Sequence, residues 1–444
     1  MKKMRTKFKK GAASFYIVAF STLILLIVAT SFAAVIISEI TRTSNDDLSQ
    51  SAYDSALAGI EDAKLAYFNY QNCVSQNATA SATKPTGELN CPAIMYYVEN
   101  ADGQQDCDMV ARVLGRVGLN DEEGGEVTVQ ESSNAGNNMQ QAYTCVKMQT
   151  VLKDYRSTLS STNQTKVVKV KFDEPAKASA VDRVKISWYE TGDDNYQFTN
   201  MDSEGKVVFP QLGTTETATP PTISVAMVQT AEQFNFSDFD MTVGEATDRG
   251  MVYLVPTSNT DFASRSVDNN YRGTWTGTEN VVNKNAFLKS NDKTTVNLPY
   301  AVYCDPNSDA EFACSATIEL PGPIGGVRND DTFMFVVSLP YGKPTADFAM
   351  EFLCSGDNCG KEVSKNGGES EVVDPGQAYL DGVQVEVDST GRANDLYRRV
   401  RVRLESEANS SYLSVMGPLE LLGENGNSDI LKKIDAVTSE WNFE

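Results

Sequence analysis

No charged residue occurs between Gly11 and Ser38 of this 444-residue chain. A helix of about 20 apolar residues spans the hydrocarbon of a bilayer, whereas a cleaved signal peptide has an apolar core of about 7–15 residues. The run is therefore long enough to predict a membrane helix. Cleavage beyond Ala29 would leave an apolar new terminus, which argues against a removed signal peptide. The chain is therefore predicted to begin with an apolar helix that lies in the membrane, apart from the rest of the fold.

The charges that flank this helix predict its orientation. Glu39 is the first acidic residue, and six basic residues precede the run: Lys2, Lys3, Arg5, Lys7, Lys9 and Lys10. Positively charged flanks stay on the cytoplasmic side of a membrane. We therefore expect the N terminus on the cytoplasmic side of the cytoplasmic membrane and the body of the chain outside the cell.

The helix is predicted to continue beyond the membrane. Residues 41–72 contain no proline, and Gly59 is their only glycine. Apolar residues recur there at helical spacing: Tyr53, Ala56, Leu57, Ile60, Ala63 and Tyr67. We expect one helix over residues 12–70, with a membrane part at 12–38 and an amphipathic part at 39–70, roughly 85 Å long. A simple membrane anchor does not need a helix this long. The apolar face formed by these six residues is therefore predicted to pack against other helices.

A basic leader that ends in Gly11 and is followed by a long apolar helix resembles a type IV pilin or pseudopilin precursor. The segment AYDSALAGIEDA at residues 52–63 is similar to the stretch that follows the membrane helix in PilX-type minor pilins. The resemblance covers the leader and the long helix. It implies that a prepilin peptidase removes residues 1–11 by cutting between Gly11 and Ala12, and that the mature helix assembles with other pilin subunits.

Tyr16 departs from the family pattern at the fifth position after the expected cut. Major pilins carry glutamate there, whereas this chain has no carboxylate before Glu39. The difference implies a rare subunit that primes a filament or lies at its tip, with a role in initiation or in adhesion to a surface ligand. By this resemblance the chain waits in the cytoplasmic membrane and then enters a cell-surface filament. The alternative is a static membrane-anchored surface protein whose β-sandwich binds an extracellular ligand.

Composition argues against two large classes of function. The chain has no histidine, which removes histidine-dependent nucleophiles, general bases and metal sites. We expect no enzyme and no cofactor; a hydrolase that uses two carboxylates is the remaining catalytic alternative. Apart from the six leading basic residues, 32 basic residues stand against 60 acidic ones. A body this acidic repels phosphate backbones, so nucleic acid is not an expected partner.

Eight cysteines follow the apolar run. Their even number, behind a membrane-crossing segment, predicts disulfides, with buried free thiols as the alternative. Sequential pairing closes small local loops and gives the expected pairs Cys73–Cys91, Cys107–Cys145, Cys304–Cys314 and Cys354–Cys359.

The exported body is predicted to belong to the α+β class. Residues 71–160 form a small mixed head, with a helix in QDCDMVARVLGRVGL and a strand at QAYTCVKMQTVL. Residues 161–420 show strand-like alternation, which predicts a larger antiparallel, sandwich-like β domain. Residues 421–444 form a tail with one short helical segment, SDILKKIDAV.

A hairpin is predicted in VQVEVDSTGRANDLYRRVRVRLE, with its turn within residues 389–394. Acidic residues of its first strand would lie opposite Arg399, Arg401 and Arg403 of the second, and such cross-strand pairs are stabilising. The same three arginines are a candidate ladder for an anionic ligand, with a solvated face as the simpler interpretation.

One loop resembles the beginning of a calcium site. Asp305, Asn307 and Asp309 place oxygen ligands at alternate positions. Ala310 and Ala316 occupy the positions where an EF-hand needs glycine and glutamate, so an EF-hand is excluded. A looser calcium site is the remaining candidate, and we otherwise expect no metal.

Overall fold

A computed structural model gives the fold of the chain. It describes residues 11–86, 88–100, 104, 106–118, 126–130, 141–160, 165–173, 181–191, 200–201, 207–208, 220–230, 249–258, 260, 274–283, 300–324, 332–342, 345–355, 359, 361–364 and 370–405. The chain forms two compact units. The N-terminal unit comprises Met1–Met148 and Val387–Val402, and the β-rich unit comprises Gln149–Glu386 and Arg403–Glu444.

The N-terminal unit contains three helices among its described residues: α1 (Gly11–Ser75), α2 (Cys91–Glu99) and α3 (Met109–Val113). The first helix extends past its predicted end at residue 70. The second was not predicted; the side chain of Asn90 caps it by accepting a hydrogen bond from the N–H of Ala93 at 3.0 Å. The third is shorter than predicted because Gly115 adopts a φ of +67° just after it, a conformation that ends helices.

Twenty strands occur among the described residues: β1 (Val127–Gln130), β2 (Gln141–Leu152), β3 (Asp154–Leu159), β4 (Thr165–Val170), β5 (Val181–Glu190), β6 (Asn200–Met201), β7 (Val207–Val208), β8 (Thr222–Thr230), β9 (Arg249–Thr257), β10 (Thr274–Trp275), β11 (Asn280–Val282), β12 (Tyr300–Tyr303), β13 (Phe312–Ile324), β14 (Thr332–Tyr341), β15 (Ala346–Cys354), β16 (Lys361–Ser364), β17 (Ser370–Val373), β18 (Gln377–Ala378), β19 (Leu380–Ala393) and β20 (Leu396–Glu405). Three of them, β2, β19 and β20, have residues in both units.

The helices of the N-terminal unit accompany a sheet with the order β1-β2-β19-β20. Strands β1 and β2 pair antiparallel, with Val127 opposite Tyr143. The predicted hairpin is formed by β19 and β20, but only Asn394 and Asp395 connect the strands. Asn394 adopts the positive φ of +52° that a tight turn requires. Ser389 and Gly391 therefore lie inside β19 and not in a turn.

The β-rich unit contains two large sheets. One has the order β10-β11-β13-β5-β15-β18, with β3 also paired to β15, and the other has the order β12-β9-β8-β14-β4. Most neighbouring strands are antiparallel, but β11 runs parallel to β13 and β12 runs parallel to β9. The prediction of a wholly antiparallel domain is therefore wrong at these two pairs. Short pairs β6-β7 and β16-β17 complete the described sheets.

One hydrophobic cluster contains side chains from both large sheets. Val184, Ile186 and Trp188 of β5 are fully buried in it, as their alternation predicted. Phe335 of β14 meets Phe352 of β15 edge to face, with ring centroids 5.4 Å apart. The indole N–H of the buried Trp188 is satisfied, because it donates to the carbonyl of Pro221 at 2.9 Å.

The coarse α+β prediction is confirmed, because one long apolar N-terminal helix is followed by antiparallel and mixed sheets. The unit boundaries differ from the predicted ones. Residues 387–402 belong to the N-terminal unit, although the sequence analysis assigned them to a β domain at 161–420. The physical reason is that β19 pairs with β2, so the far end of the chain completes the sheet of the head. The predicted helical segment of the tail lies outside the described residues.

Candidate functional site: the long N-terminal helix

The N-terminal part of α1 presents apolar side chains in every direction. Each large apolar side chain from Tyr16 to Ile40 is at least 43% exposed, and no charged residue occurs before Glu39. Among the described residues, α1 is the one helix long and apolar enough to cross a membrane. Its uncharged run is about 42 Å long, and the hydrocarbon core of a bilayer is about 30 Å thick.

Hydroxyl groups in this run are satisfied within the helix. Ser21 donates to the carbonyl of Val18, and Ser31 donates to the carbonyl of Ile27. Thr22 and Thr30 make bonds of the same kind. A hydroxyl without a partner is costly in hydrocarbon, whereas a bond to the preceding turn removes that cost. The polar residues of the run are thus compatible with an apolar surrounding.

The second half of α1 packs on the sheet of the N-terminal unit through small residues. Its buried face consists of Ala52, Ser55, Ala56, Gly59, Ile60, Ala63 and Ala66. A Cβ atom added to Gly391 of β19 would come within 2.1 Å of the carbonyl oxygen of Ala52 and 2.3 Å of the nitrogen of Ala56. The strand backbone therefore touches the helix backbone directly, which only glycine permits at this position.

Polar contacts surround this packing. Ser389 of β19 is fully buried, and its hydroxyl donates to the carbonyl of Ala56 at 2.8 Å. The carboxylate of Asp62 accepts hydrogen bonds from the Tyr143 hydroxyl and from the Arg116 guanidinium, both at 2.6 Å. Burial and the neighbouring Asp62 carboxylate raise the pKa of Tyr143 above its usual range, so its hydroxyl stays a proton donor. These bonds fix the rotation of the helix against the sheet.

The predicted assembly face is divided by this packing. Ala56, Ile60 and Ala63 are buried against the chain's own N-terminal unit, so they are not available to another helix. Tyr53 and Leu57 are exposed, and the sixth member, Tyr67, is half-buried. The correction has a simple cause, since helical periodicity reveals an apolar face but not what covers it.

The predicted cleavage residues Gly11 and Ala12 are the first residues of α1. The leader residues before Gly11 lie outside the described part of the chain. Tyr16 is exposed on the helix.

The four disulfides join the pairs that the sequence spacing predicted. Cys73 near the end of α1 is linked to Cys91, the first residue of α2. Cys107, just before α3, is linked to Cys145 of β2. The other two, Cys304–Cys314 and Cys354–Cys359, lie in the β-rich unit. Two disulfides thus hold α2 and α3 to the helix and the sheet of the N-terminal unit.

The N-terminal unit contains two members of the predicted arginine ladder. Arg399 donates from Nε to the carboxylate of Asp388 at 2.6 Å, and Arg401 reaches the same carboxylate at 3.4 Å. Hydrogen bonds from Arg399 lower the pKa of Asp388. Both guanidinium groups therefore already have an anionic partner within the chain, which favours the simpler interpretation of a paired surface.

The third member, Arg403, lies in the β-rich unit. It bonds the carboxylates of Asp154 at 2.8 Å and Glu386 at 3.2 Å. Arg156 contacts Asp154 from the other side at 2.6 Å. Burial alone would raise the pKa of Asp154, but hydrogen bonds from Arg156 and Arg403 outweigh it and hold the pKa below its usual range. A carboxyl group that acts as a general acid needs a raised pKa, so Asp154 fits an ion pair and not proton donation.

The lowered pKa of Asp154 predicts acid sensitivity of the β-rich unit. Its folded pKa is below the unfolded value of about 3.9, so this stabilisation is present above about pH 4 and is lost as pH falls through the folded pKa. All three tryptophans of the chain belong to the β-rich unit. Urea unfolding followed by tryptophan emission should therefore give a free energy of unfolding that falls below about pH 4. Asp154→Asn should reduce the slope of the free energy of unfolding against pH. Asp309→Asn, at an exposed loop position, should leave this slope unchanged. Equal slopes in all three proteins would contradict the assignment.

The calcium candidate is a hydrogen-bonded turn. The carboxylate of Asp305 accepts from the N–H of Asn307 at 3.0 Å, and the Ser308 hydroxyl accepts from the N–H of Ala310 at 3.3 Å. Asp309 is exposed. Among the described residues, no group of three or more Asp, Glu or Cys side chains is arranged to hold a metal ion.

Comparison with protein-family models, with curated proteins and with solved structures finds no match to this chain.

Sequence reasoning missed the residues that hold the helix in place. In the sequence, Ser389 and Gly391 are typical of a turn, and nothing next to Asp62 indicates that its carboxylate makes long-range hydrogen bonds. The one usable signal is the spacing of Ala52, Ala56 and Gly59, because small residues on one face of a helix permit close approach of another backbone.

Proposed function

We propose that the chain is a minor subunit of a type IV pilus-like filament, at the tip or in the priming complex, without enzymatic activity. Its partners would be other pilin subunits, a prepilin peptidase, the cytoplasmic membrane and a surface ligand. Its N terminus would face the cytoplasm before assembly. The two large sheets would form a sandwich-like body outside the cell.

The observation that supports this proposal is the division of α1 into two halves. The first half is apolar and exposed all around, and the second half is fixed to the sheet by backbone contact at Gly391. A pull on the sheet of the N-terminal unit would therefore be transmitted to the apolar half through a continuous helix. A subunit that must leave a bilayer and enter a helical bundle needs such a rigid connection, whereas a static anchor works equally well with a flexible linker.

The runner-up function is a membrane-anchored surface protein that never enters a filament. It shares the membrane helix and the exported body with the leading proposal. The two differ in the fate of residues 1–11, because only the filament subunit requires a prepilin peptidase.

The N-terminal mass of protein from native membranes and from sheared surface material tests the proposal. We expect a mature chain that begins at Ala12, with a methylated amine, in both fractions. Gly11→Leu should keep the Met1 terminus and remove the protein from the sheared fraction. Ala33→Leu is the matched control: it lies in the same helix and should leave processing at Gly11 unchanged. A Met1 terminus in the native protein, or a start beyond Ala29, would refute the filament proposal.

A further inference from the structure

Two aromatic side chains lie side by side at one corner of the β-rich unit. Trp275 ends β10 and Tyr303 ends β12, and their ring centroids are 4.7 Å apart with the planes tilted by 46°. Both residues are half-buried, whereas Trp188 in the hydrophobic cluster is fully buried. The pair therefore keeps part of its aromatic surface in contact with solvent.

Backbone bonds hold this pair in place. Trp275 lies opposite Asn280 across β10 and β11. The side chain of Asn280 donates to the carbonyl of Tyr303 at 2.9 Å and accepts from its N–H at 2.8 Å. The Cys304–Cys314 disulfide fixes the chain directly after Tyr303. Rings that are fixed before binding lose little conformational freedom when a ligand arrives, which favours recognition by these rings.

A carboxylate lies beside the aromatic pair. The extended chain continues past β12 through a β-bridge at Cys304, so Asp305 points to the same side as Tyr303. One carboxylate oxygen of Asp305 accepts from the N–H of Asn307 at 3.0 Å. The other oxygen has no hydrogen-bond partner among the described residues, so it can accept from a ligand. We call Trp275, Tyr303 and Asp305 the aromatic corner.

The turn between β10 and β11 is open to solvent. Its residues 276–279 are exposed, and a Cβ atom added to Gly277 would have no heavy atom within 4 Å. The hydroxyls of Thr276 and Thr278 lie 3.2 Å apart in this turn. Exposed turns on a rigid sheet are the usual setting of binding residues. The turn therefore adds accessible hydroxyl groups next to Trp275.

We infer that the aromatic corner binds the apolar face of a neutral sugar ring. A pyranose ring carries C–H bonds on its face and hydroxyl groups around its edge. The C–H bonds match the face of an indole, which is apolar and carries partial negative charge. The hydroxyl groups match the free oxygen of Asp305 and the threonine hydroxyls of the turn, which accept hydrogen bonds.

Charged ligands fit the aromatic corner less well. Beyond the basic leader the chain has 32 basic residues against 60 acidic ones, so its field repels an anionic ligand. A quaternary ammonium group is held by aromatic rings that surround it. The centroids of Trp275 and Tyr303 are only 4.7 Å apart, which leaves no space for a cation between the rings. A neutral ligand with one flat apolar face remains.

The inference gives a chemical class to the surface ligand of both candidate functions. It rests on the proposed function only in placing the β-rich unit outside the cell. All residues of the aromatic corner belong to that unit, so the inference does not depend on cleavage after Gly11 or on filament assembly.

An array of immobilised neutral oligosaccharides of glucose, galactose, mannose and N-acetylglucosamine tests the inference with the full-length chain in detergent. We expect binding to at least one member of the array. Trp275→Ala should weaken this binding by about tenfold or more, because the stacking surface is lost. Trp275→Phe keeps an aromatic ring and should retain part of the binding. Tyr397→Ala is the matched control, because it removes an exposed aromatic ring of the N-terminal unit, and it should bind like the unmodified chain.

Two further measurements keep the test valid if Trp275→Ala fails to fold. Asp305→Asn keeps one oxygen for the bond from Asn307 and replaces the other by an amide group that cannot accept, so it should weaken binding several-fold. Adding the bound oligosaccharide should also shift the tryptophan emission of the unmodified chain and leave that of Trp275→Phe unchanged.

Three results would overturn the inference. The first is a chain that binds no member of the array. The second is a folded Trp275→Ala variant that binds as tightly as the unmodified chain. The third is an emission shift with tetramethylammonium and none with any oligosaccharide, which would indicate a cation site.

The N-terminal mass of the same samples separates this inference from the filament proposal. A chain that begins at Ala12 and binds no oligosaccharide refutes the aromatic corner alone. A chain that begins at Met1 and binds one refutes the filament subunit alone.

Discussion

Gly391→Ala is expected to destabilise the N-terminal unit by about 3 kcal/mol, the upper part of the usual range for overpacking. The new methyl group would lie 2.1 Å from the carbonyl oxygen of Ala52 and 2.3 Å from the nitrogen of Ala56. Both are backbone atoms of a continuous helix, so neither can rotate away. The helix must move off β19, which would also break the bond from the Ser389 hydroxyl to Ala56.

Gly59→Ala provides the matched comparison from the other side of the contact. Its methyl group would meet the Ser389 hydroxyl at 2.4 Å and a methyl group of Val146 at 2.7 Å. These are side-chain atoms, which can turn to new rotamers. Replacing a glycine with alanine inside a helix also stabilises the helix by about 1 kcal/mol, because alanine has the higher helix propensity. We therefore expect Gly59→Ala to cost less than Gly391→Ala.

Hydrogen exchange resolves the two variants, because it reports each unit separately. Amides of α1 at residues 52–66 should lose protection in Gly391→Ala and lose less in Gly59→Ala. Tryptophan emission serves as an internal control and should not change, because all three tryptophans belong to the β-rich unit. Equal protection of α1 in Gly391→Ala and in the unmodified chain would show that this contact does not hold the helix.

The long helix and most strands were predictable because each has a local signal. An uncharged apolar run and a proline-free continuation define α1, and alternation identifies strands such as β5. The second helix was missed for a physical reason. Its sequence CPAIMYYVE is short and rich in residues that also favour strands, and burial of its central residues stabilises it as a helix. Asn90, two residues before Pro92, was the one available signal for its start.

What covers a surface was not predictable. The alanines of α1 form a regular stripe in the sequence, but the strand that buries them comes more than 300 residues later in the chain. Gly391 suggests a turn because glycine is typical of turns, whereas the chain uses it for backbone contact inside β19. Such long-range contacts leave no periodic trace, so the predicted assembly face included Ala56, Ile60 and Ala63.

Loss of the Cys107–Cys145 disulfide is expected to cost about 4 kcal/mol, because its removal frees a long loop in the unfolded chain. The linked residues are 38 positions apart, whereas Cys354 and Cys359 are separated by 5. The same relation gives about 2 kcal/mol for the shorter loop. The double substitution Cys107→Ala, Cys145→Ala should therefore lower the stability of its unit more than Cys354→Ala, Cys359→Ala lowers that of the other.

The longer disulfide also holds α3 against β2. The N–H of Val146 donates to the carbonyl of Cys107 at 2.9 Å, next to the disulfide. The buried Arg112 bonds Asp106 at 2.9 Å and Asp108 at 3.5 Å, the two neighbours of Cys107. These bonds remain when the disulfide is removed, so the variant should keep its native fold at low denaturant and lose it at a lower urea concentration. Hydrogen exchange at α3 measures the stability of the N-terminal unit, and tryptophan emission measures that of the β-rich unit, which contains all three tryptophans. Equal losses in the two double variants would mean that native contacts, and not loop closure, determine what these disulfides contribute.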